Sequence, residues 1–372
     1  MIKKIGLFLL VWIAFFLLVN KVSTIYLFDR TSYETPKNLE INSRFTILPW
    51  LNFDGRNYLD IANLGYFQKG EYNLRSFFPM YPILIDIVSK ISGLNLIYSG
   101  ILISLSSFFG SLVILYKIVK NKFSESVSLK TIIILLFFPT SFYFLSYYPE
   151  SLFLFFSLAT FYYLNKKDFL KSSIFSLFAS ATRLTGIILP IILLIEGFKS
   201  FKRYGKFPWA IILSPLGLVF YSLYSYIATG DPLIFFHSYT TWGKSFSLFG
   251  PIKSIVSGVS NLIRGPQTYF DSPYVYFITI IEIVSLIFVI TILVKSYKKI
   301  KTSYWLYLLI NTYFFLAGGI LQSLPRYLLV MFPIYIYLAL NLKSKTLIIY
   351  LGLSMLLLTM LSSLFLRGYW VS

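Results

Sequence analysis

Apolar stretches about as long as a bilayer is thick recur through this chain, separated by short polar segments. A helix needs roughly 20 apolar residues to cross the hydrocarbon core, and fewer where neighbours shelter it. On that basis the sequence predicts spans near 5–28, 95–119, 131–147, 149–164, 169–182, 186–198, 208–228, 273–294, 303–321, 324–340 and 345–366. The expected fold is all-α, a polytopic membrane protein of about 11 transmembrane helices forming one domain over residues 1–372. Composition agrees: 13% of the residues are charged, against about 25% in soluble proteins. That excludes an ordinary water-soluble enzyme, a nucleic-acid binder and a disordered scaffold.

Charge placement sets the expected orientation. Lys3-Lys4 followed by an apolar run resembles a signal peptide, but no small-residue cleavage site follows in Asn20–Thr24, so the segment reads as an uncleaved anchor. With the N-terminus cytoplasmic, the inner segments carry 19 of the 33 basic residues, from Lys3 through Lys117, Lys199 and Lys298 to Lys345. Only three acids, Glu125, Asp168 and Glu196, accompany them. The outer side and its borders take the other 14 basic residues and ten acids, with Glu282 left inside a span. Every second connection is basic, as the positive-inside rule requires. The net charge of +19 therefore reports topology, not a nucleic-acid partner. An odd number of spans puts the C-terminus outside. The chain is expected in the cell membrane, with its function on the outer face in the two large loops, 29–94 and 229–272.

The first of these loops holds two readable segments. Met80, Ile83, Leu84, Ile87, Val88 and Ile91 recur at helical spacing. About 12 residues are too few to span, so 80–91 predicts an amphipathic helix in the membrane interface, the other reading being a short buried helix. The stretch Trp50-Leu-Asn-Phe-Asp54-Gly-Arg-Asn-Tyr58-Leu-Asp60-Ile61-Ala-Asn-Leu-Gly65-Tyr66 is the most informative. If helical from Asp54, it sets Asp54, Tyr58, Ile61 and Gly65 on one face and turns Asp60 away. Asp54 then either caps the helix or does chemistry.

This stretch resembles the Trp-Asp-Gly-x-Trp-Tyr-x-x-Ile-Ala-x-x-Gly-Tyr motif of PIG-V-like mannosyltransferases, membrane enzymes of the GT-C fold. The resemblance continues in order through Phe78-Pro-Met-Tyr-Pro82, Phe138-Pro-Thr-Ser-Phe142 with Glu150-Ser-Leu-Phe153, and Thr182-Arg183-Leu-Thr-Gly186. It ends with Gly230-Asp-Pro232, Trp242-Gly243 and Pro325-Arg326-Tyr-Leu328. Phe53 stands where the family has tryptophan, and Leu184 where a proline is common.

The resemblance implies an inverting glycosyltransferase that moves a sugar, expected to be mannose, from a polyprenyl-phosphate donor to a glycan or glycolipid acceptor. Asp54 matches the family's aspartate and is the candidate base. Arginine suits a phosphate through its planar fork, which makes Arg183, Arg326 and Arg75 the donor-phosphate candidates; the alternative for each is snorkelling to lipid headgroups. Tyr58, Glu150, His237 and Trp242 are candidate substrate contacts. Glu150, after Pro149, could instead serve the helix dipole, and Trp242 could be an ordinary interfacial aromatic. With no Cys and His237 as the only histidine, thiolate sites, a Ser-His-Asp triad and a multi-histidine zinc site fall away. No cofactor is expected, although carboxylates alone could hold magnesium. The competing class is a transporter or lipid flippase, which commonly shows repeated halves; none is visible here.

Overall fold

The computed structural model describes residues 1–28, 30, 47–66, 72–264 and 273–371; parts of the 29–94 and 229–272 loops lie outside them. Among the described residues all regular structure is helical. In chain order the helices are α1 (Ile2–Tyr26), α2 (Asp54–Leu64), α3 (Met80–Ser92), α4 (Leu96–Lys120), α5 (Glu125–Leu136), α6 (Glu150–Asn165), α7 (Phe169–Thr182) and α8 (Ile188–Tyr204). Then follow α9 (Leu216–Thr229), α10 (Ile234–His237), α11 (Gly250–Arg264), α12 (Pro273–Ser296), α13 (Thr302–Leu316), α14 (Leu324–Leu329), α15 (Pro333–Asn341) and α16 (Ser344–Leu366).

Six helical stretches among the described residues are long and apolar enough to cross a membrane: Ile2–Tyr26, Leu96–Lys120, Leu184–Tyr204, Trp209–Thr229, Tyr276–Ser296 and Ser344–Leu366. They coincide with six of the eleven expected spans. The other five segments fold as shorter or broken helices. The expected span 131–147 ends as a helix at Leu136, before Pro139, and continues as buried irregular chain with one 3-10 turn at Ser141–Phe144. The expected span 324–340 is two helices, α14 and α15, parted at Val330–Phe332 where Pro333 begins the second.

Broken backbone buried away from water survives only if its polar groups find partners inside the protein. Here they do. The Leu136 carbonyl accepts from Trp12 Nε1 at 2.7 Å and from Ser141 Oγ at 2.6 Å. Ser151 Oγ donates to the Phe144 carbonyl at 2.8 Å. At the α14–α15 break, Tyr335 Oη donates to the Leu329 carbonyl at 2.8 Å. These short pieces are also the most enclosed part of the molecule. Leu152, Phe153, Leu154 and Leu158 of α6 and Leu328, Phe332 and Ile334 beyond it are buried in one apolar core, with α6 packed between α4 and α7.

The basic segments gather at one end. Glu125 at the start of α5 reaches Lys4 at 3.5 Å and Lys120 at 3.4 Å. Asn165, closing α6, donates to Tyr304 Oη at 2.6 Å and accepts from Lys301 at 2.8 Å, and Lys122 lies over the Tyr304 ring. The lysines assigned to one membrane side thus meet in space.

At the opposite end α3 forms as expected. Tyr81 and Ile85 are buried, the tyrosine donating to the Gly100 carbonyl at 3.1 Å, whereas Ile83, Ile87 and Ile91 are exposed. An apolar stripe turned away from the core is what an interface-lying helix presents to lipid. Beneath α3, between α2, α7 and α9, runs an apolar groove of about 710 Å³ bordered by Ile61, Met80, Ile83, Phe178, Phe220 and Tyr224.

Candidate functional site

The turn before Asp54 is fixed from two directions. Tyr147 N–H donates to the Trp50 carbonyl at 3.0 Å, Tyr148 Oη donates to the Asn52 carbonyl at 2.7 Å, and Asn52 Nδ2 donates to the Phe365 carbonyl at 2.8 Å. Between these anchors Phe53 adopts φ 59°, ψ −121°. A bulky side chain at positive φ is strained and persists only where its surroundings impose it. Gly55 follows for a steric reason: a Cβ there would lie 3.3 Å from both the Tyr147 carbonyl oxygen and the Tyr148 ring. The turn launches α2 with Phe53 as its N-cap and no side-chain capping bond. Asp54 is the first helical residue and not the cap, so the capping alternative fails.

The Asp54 side chain instead meets α14. Arg326 Nη1 donates to Asp54 Oδ2 at 2.5 Å, and Arg326 Nε donates to Glu150 Oε1 at 2.5 Å. Arg183 Nη1 donates to the same Glu150 oxygen. Four charges from four distant parts of the chain form one row: Asp54, Arg326, Glu150, Arg183. The Arg326 guanidinium lies 4.6 Å from the centre of the Tyr148 ring, and that of Arg183 lies 5.2 Å from Tyr327. Glu150 is fully buried in the first turn of α6, Asp54 is 27% exposed, and the two arginines are nearly covered.

Each arginine sits at a helix break. Arg183 is the extended residue that ends α7 (φ −152°, ψ 150°) before a 3-10 turn leads into α8. The chain doubles back so closely that a Cβ on Gly186 would fall 2.3 Å from the Ala179 carbonyl oxygen. Leu184 thus stands in a break that needs no proline. Arg326 is the third residue of α14, whose N-cap Ser323 holds φ 75°. The Ser323 N–H donates to Glu282 Oε1 at 2.9 Å. Glu282, which has no partner visible in the sequence, holds the start of the helix that carries Arg326.

These groups line a cavity of about 210 Å³. Asp54, Asn57 and Tyr58 come from α2, Arg183 and Thr185 from the α7–α8 turn, Trp242 and Lys244 from the segment between α10 and α11, and Arg326 and Tyr327 from α14. Tyr58 is buried edge-on between Phe77 and Tyr81, and burial pushes its hydroxyl well above the usual tyrosine range although Arg183 opposes the shift. Trp242 donates from Nε1 to Ser76 Oγ at 3.2 Å and packs edge-on to Phe77.

Of the residues singled out from sequence, Asp54, Tyr58, Arg183, Arg326 and Trp242 border this cavity, and Glu150 sits behind it, joining the two arginines. Asp60 points elsewhere, paired with Arg56 Nε at 3.0 Å. Arg75 is not among the lining residues; its carbonyl accepts from Tyr221 Oη at 2.7 Å, on the α9 side. His237 is also outside it. It is 59% exposed and bonds through Nδ1 to Asp231 Oδ2 at 2.7 Å, a contact that lowers the Asp231 carboxyl. Lys244 and Tyr327 were not singled out as site residues. Lys244 stands beside Trp242 in the sequence, but its burial comes from residues some 70 positions later, which no local signal shows. Among the described residues no three His, Cys, Asp or Glu side chains converge as metal ligands would.

Compared with known proteins, the chain matches no family model, and no curated protein matches it significantly.

Proposed function

We propose that the chain is an inverting membrane glycosyltransferase of GT-C-like architecture. It moves a sugar, mannose by the sequence resemblance, from a polyprenyl-phosphate donor to a glycan or glycolipid acceptor at the outer face of the cell membrane. The observation that carries the reading is the meeting of Asp54, Arg183 and Arg326 on one cavity, three residues that the sequence motifs had separately nominated. In this reading the six long helices and the five shorter or broken segments together make eleven crossings, the latter sheltered by protein, with the basic end cytoplasmic.

In the proposed step the acceptor hydroxyl oxygen forms a bond to the anomeric carbon while the bond from that carbon to the phosphate oxygen breaks. The electron pair leaves on polyprenyl phosphate, and the hydroxyl proton passes to Asp54. One Asp54 oxygen is held by Arg326; the other, Oδ1, is the acceptor for that proton. Arginine has five N–H donors, so both guanidiniums keep donors beyond those that Glu150 and Asp54 take. Preset donors aimed at a developing charge are the most effective stabilisers of such a step. The apolar groove beneath α3 offers a surface for the prenyl chain.

The test is incubation of the purified protein with polyprenyl-phosphate mannose and an acceptor extract, following release of polyprenyl phosphate. Asp54→Asn should stay folded and lose activity by roughly 10²–10⁴-fold. No release from the parent protein would overturn the transferase reading, and release undiminished in Asp54→Asn would remove the base.

A further inference from the structure

We propose that Lys244 is an anion anchor of the cavity, a third cation on the donor's phosphate beside Arg183 and Arg326; this deepens the transferase reading and rests on it. The charges on the cavity wall are matched unevenly. Arg183 and Arg326 share Glu150, and Arg326 also holds Asp54. The two guanidiniums therefore face two carboxylates. Lys244, the remaining cation on the cavity wall, has no carboxylate within ion-pair distance among the described residues. Glu282 gives its Oε1 to the Ser323 N–H.

Lys244 is only 8% exposed. A lysine that merely reached for lipid headgroups would keep its ammonium in water, and a buried, unmatched ammonium is costly. Its position is nevertheless enforced. Its N–H donates to the Tyr239 carbonyl at 3.1 Å, Ser245 N–H to the Gly318 carbonyl at 2.9 Å, and Ser247 N–H to the Ala317 carbonyl at 3.0 Å. The ammonium rests 4.9 Å from the centre of the Tyr327 ring and 5.2 Å from that of Phe315. The Tyr327 hydroxyl also takes a hydrogen bond from the ammonium, but a neutral hydroxyl and two aromatic faces compensate a buried cation only in part. The loop thus delivers a buried point charge with no carboxylate of its own to a cavity whose two other cations are each paired with one. A compact ammonium of this kind suits a phosphate oxygen.

The sequence of charge states adds a distinguishing consequence. The donor phosphodiester carries one negative charge and the departing phosphomonoester up to two, so an anchoring cation should hold the leaving group more firmly than the donor. Lys244 donates hydrogen bonds in this role and transfers no proton.

The experiment uses the full chain in lipid nanodiscs, with farnesyl phosphate as the probe and farnesol as its uncharged control. Lys244→Gln should weaken farnesyl phosphate binding by about 10- to 100-fold, the factor expected for a charged hydrogen bond, and leave farnesol binding unchanged. Lys244→Arg should recover most of the loss, and Lys244→Met repeats the test should the amide disturb packing. If the parent turns over donor and binds farnesyl phosphate, but both neutral variants bind it equally well, this inference is overturned and the transferase reading stands. If the parent neither binds farnesyl phosphate nor releases polyprenyl phosphate, both are overturned.

Discussion

Glu150 holds two guanidiniums with a single carboxylate oxygen, and its side chain has no exposure. The sequence nominated it as a substrate contact or a partner of the helix dipole. Its place in the first turn of α6 fits the dipole account, yet its principal work is to join Arg183 to Arg326. That could not be read locally, because the partners lie 33 and 176 positions away. Removing the carboxylate leaves two buried cations side by side, and breaking a buried pair typically costs about 3–5 kcal/mol. Glu150→Gln should therefore lower the thermal unfolding midpoint sharply, even with the shape conserved. Arg326→Lys keeps the charge but loses the fork, and should impair transfer more than stability. A Glu150→Gln protein that melts with the parent would show that the row contributes nothing to folding.

At the scale of an element, α14 is six residues long and too short to hold its own position. Three contacts hold it: the Glu282 carboxylate on the Ser323 N–H, Thr140 Oγ1 donating to the Pro325 carbonyl at 3.0 Å, and the Tyr335 hydroxyl on its last carbonyls. Proline at 325 and 333 makes a helix break readable, but the groups that satisfy the freed backbone come from α12, the 138–149 segment and α15. Their identity required the fold. Ser323 in the left-handed region costs about 1–2 kcal/mol that glycine would not. Ser323→Gly should stabilise the protein by about that amount in denaturant titrations, whereas Glu282→Ala should destabilise it by about 1–3 kcal/mol through the orphaned N–H. A Ser323→Gly variant less stable than the parent would mean the serine side chain has a role beyond the turn.

Over the whole molecule, the charge alternation was legible because it is a property of each connection taken singly. The lysines it grouped do cluster at one end, around Glu125 and Asn165. The five short segments were harder: their apolar runs read as spans, but the prolines and serines within them make enclosed, broken helices. The same limit applies to the site. Motifs point to Asp54, Arg183 and Arg326, whereas residue type and loop position alone point to Arg75 and His237, which do not line the cavity; chain order gives no measure of which of the five come together. The topology itself is open to a direct check in this cysteine-free chain. His237→Cys in the second outer loop and Lys298→Cys between α12 and α13 should react with an impermeant maleimide from opposite sides of sealed vesicles. Labelling of both from one side would defeat the orientation.

The row of charges also has an order in time. Glu150 and Arg183 are 33 residues apart, so a chain still being synthesised can pair them soon after α6 and α7 have formed. Asp54 must wait through 272 further residues for Arg326. The cavity is therefore assembled last: α14 brings Arg326, and the end of α16 then brings the Phe365 carbonyl under Asn52 and Trp370 onto the wall, so a nascent chain halted before residue 324 carries its inner ion pair but no finished site.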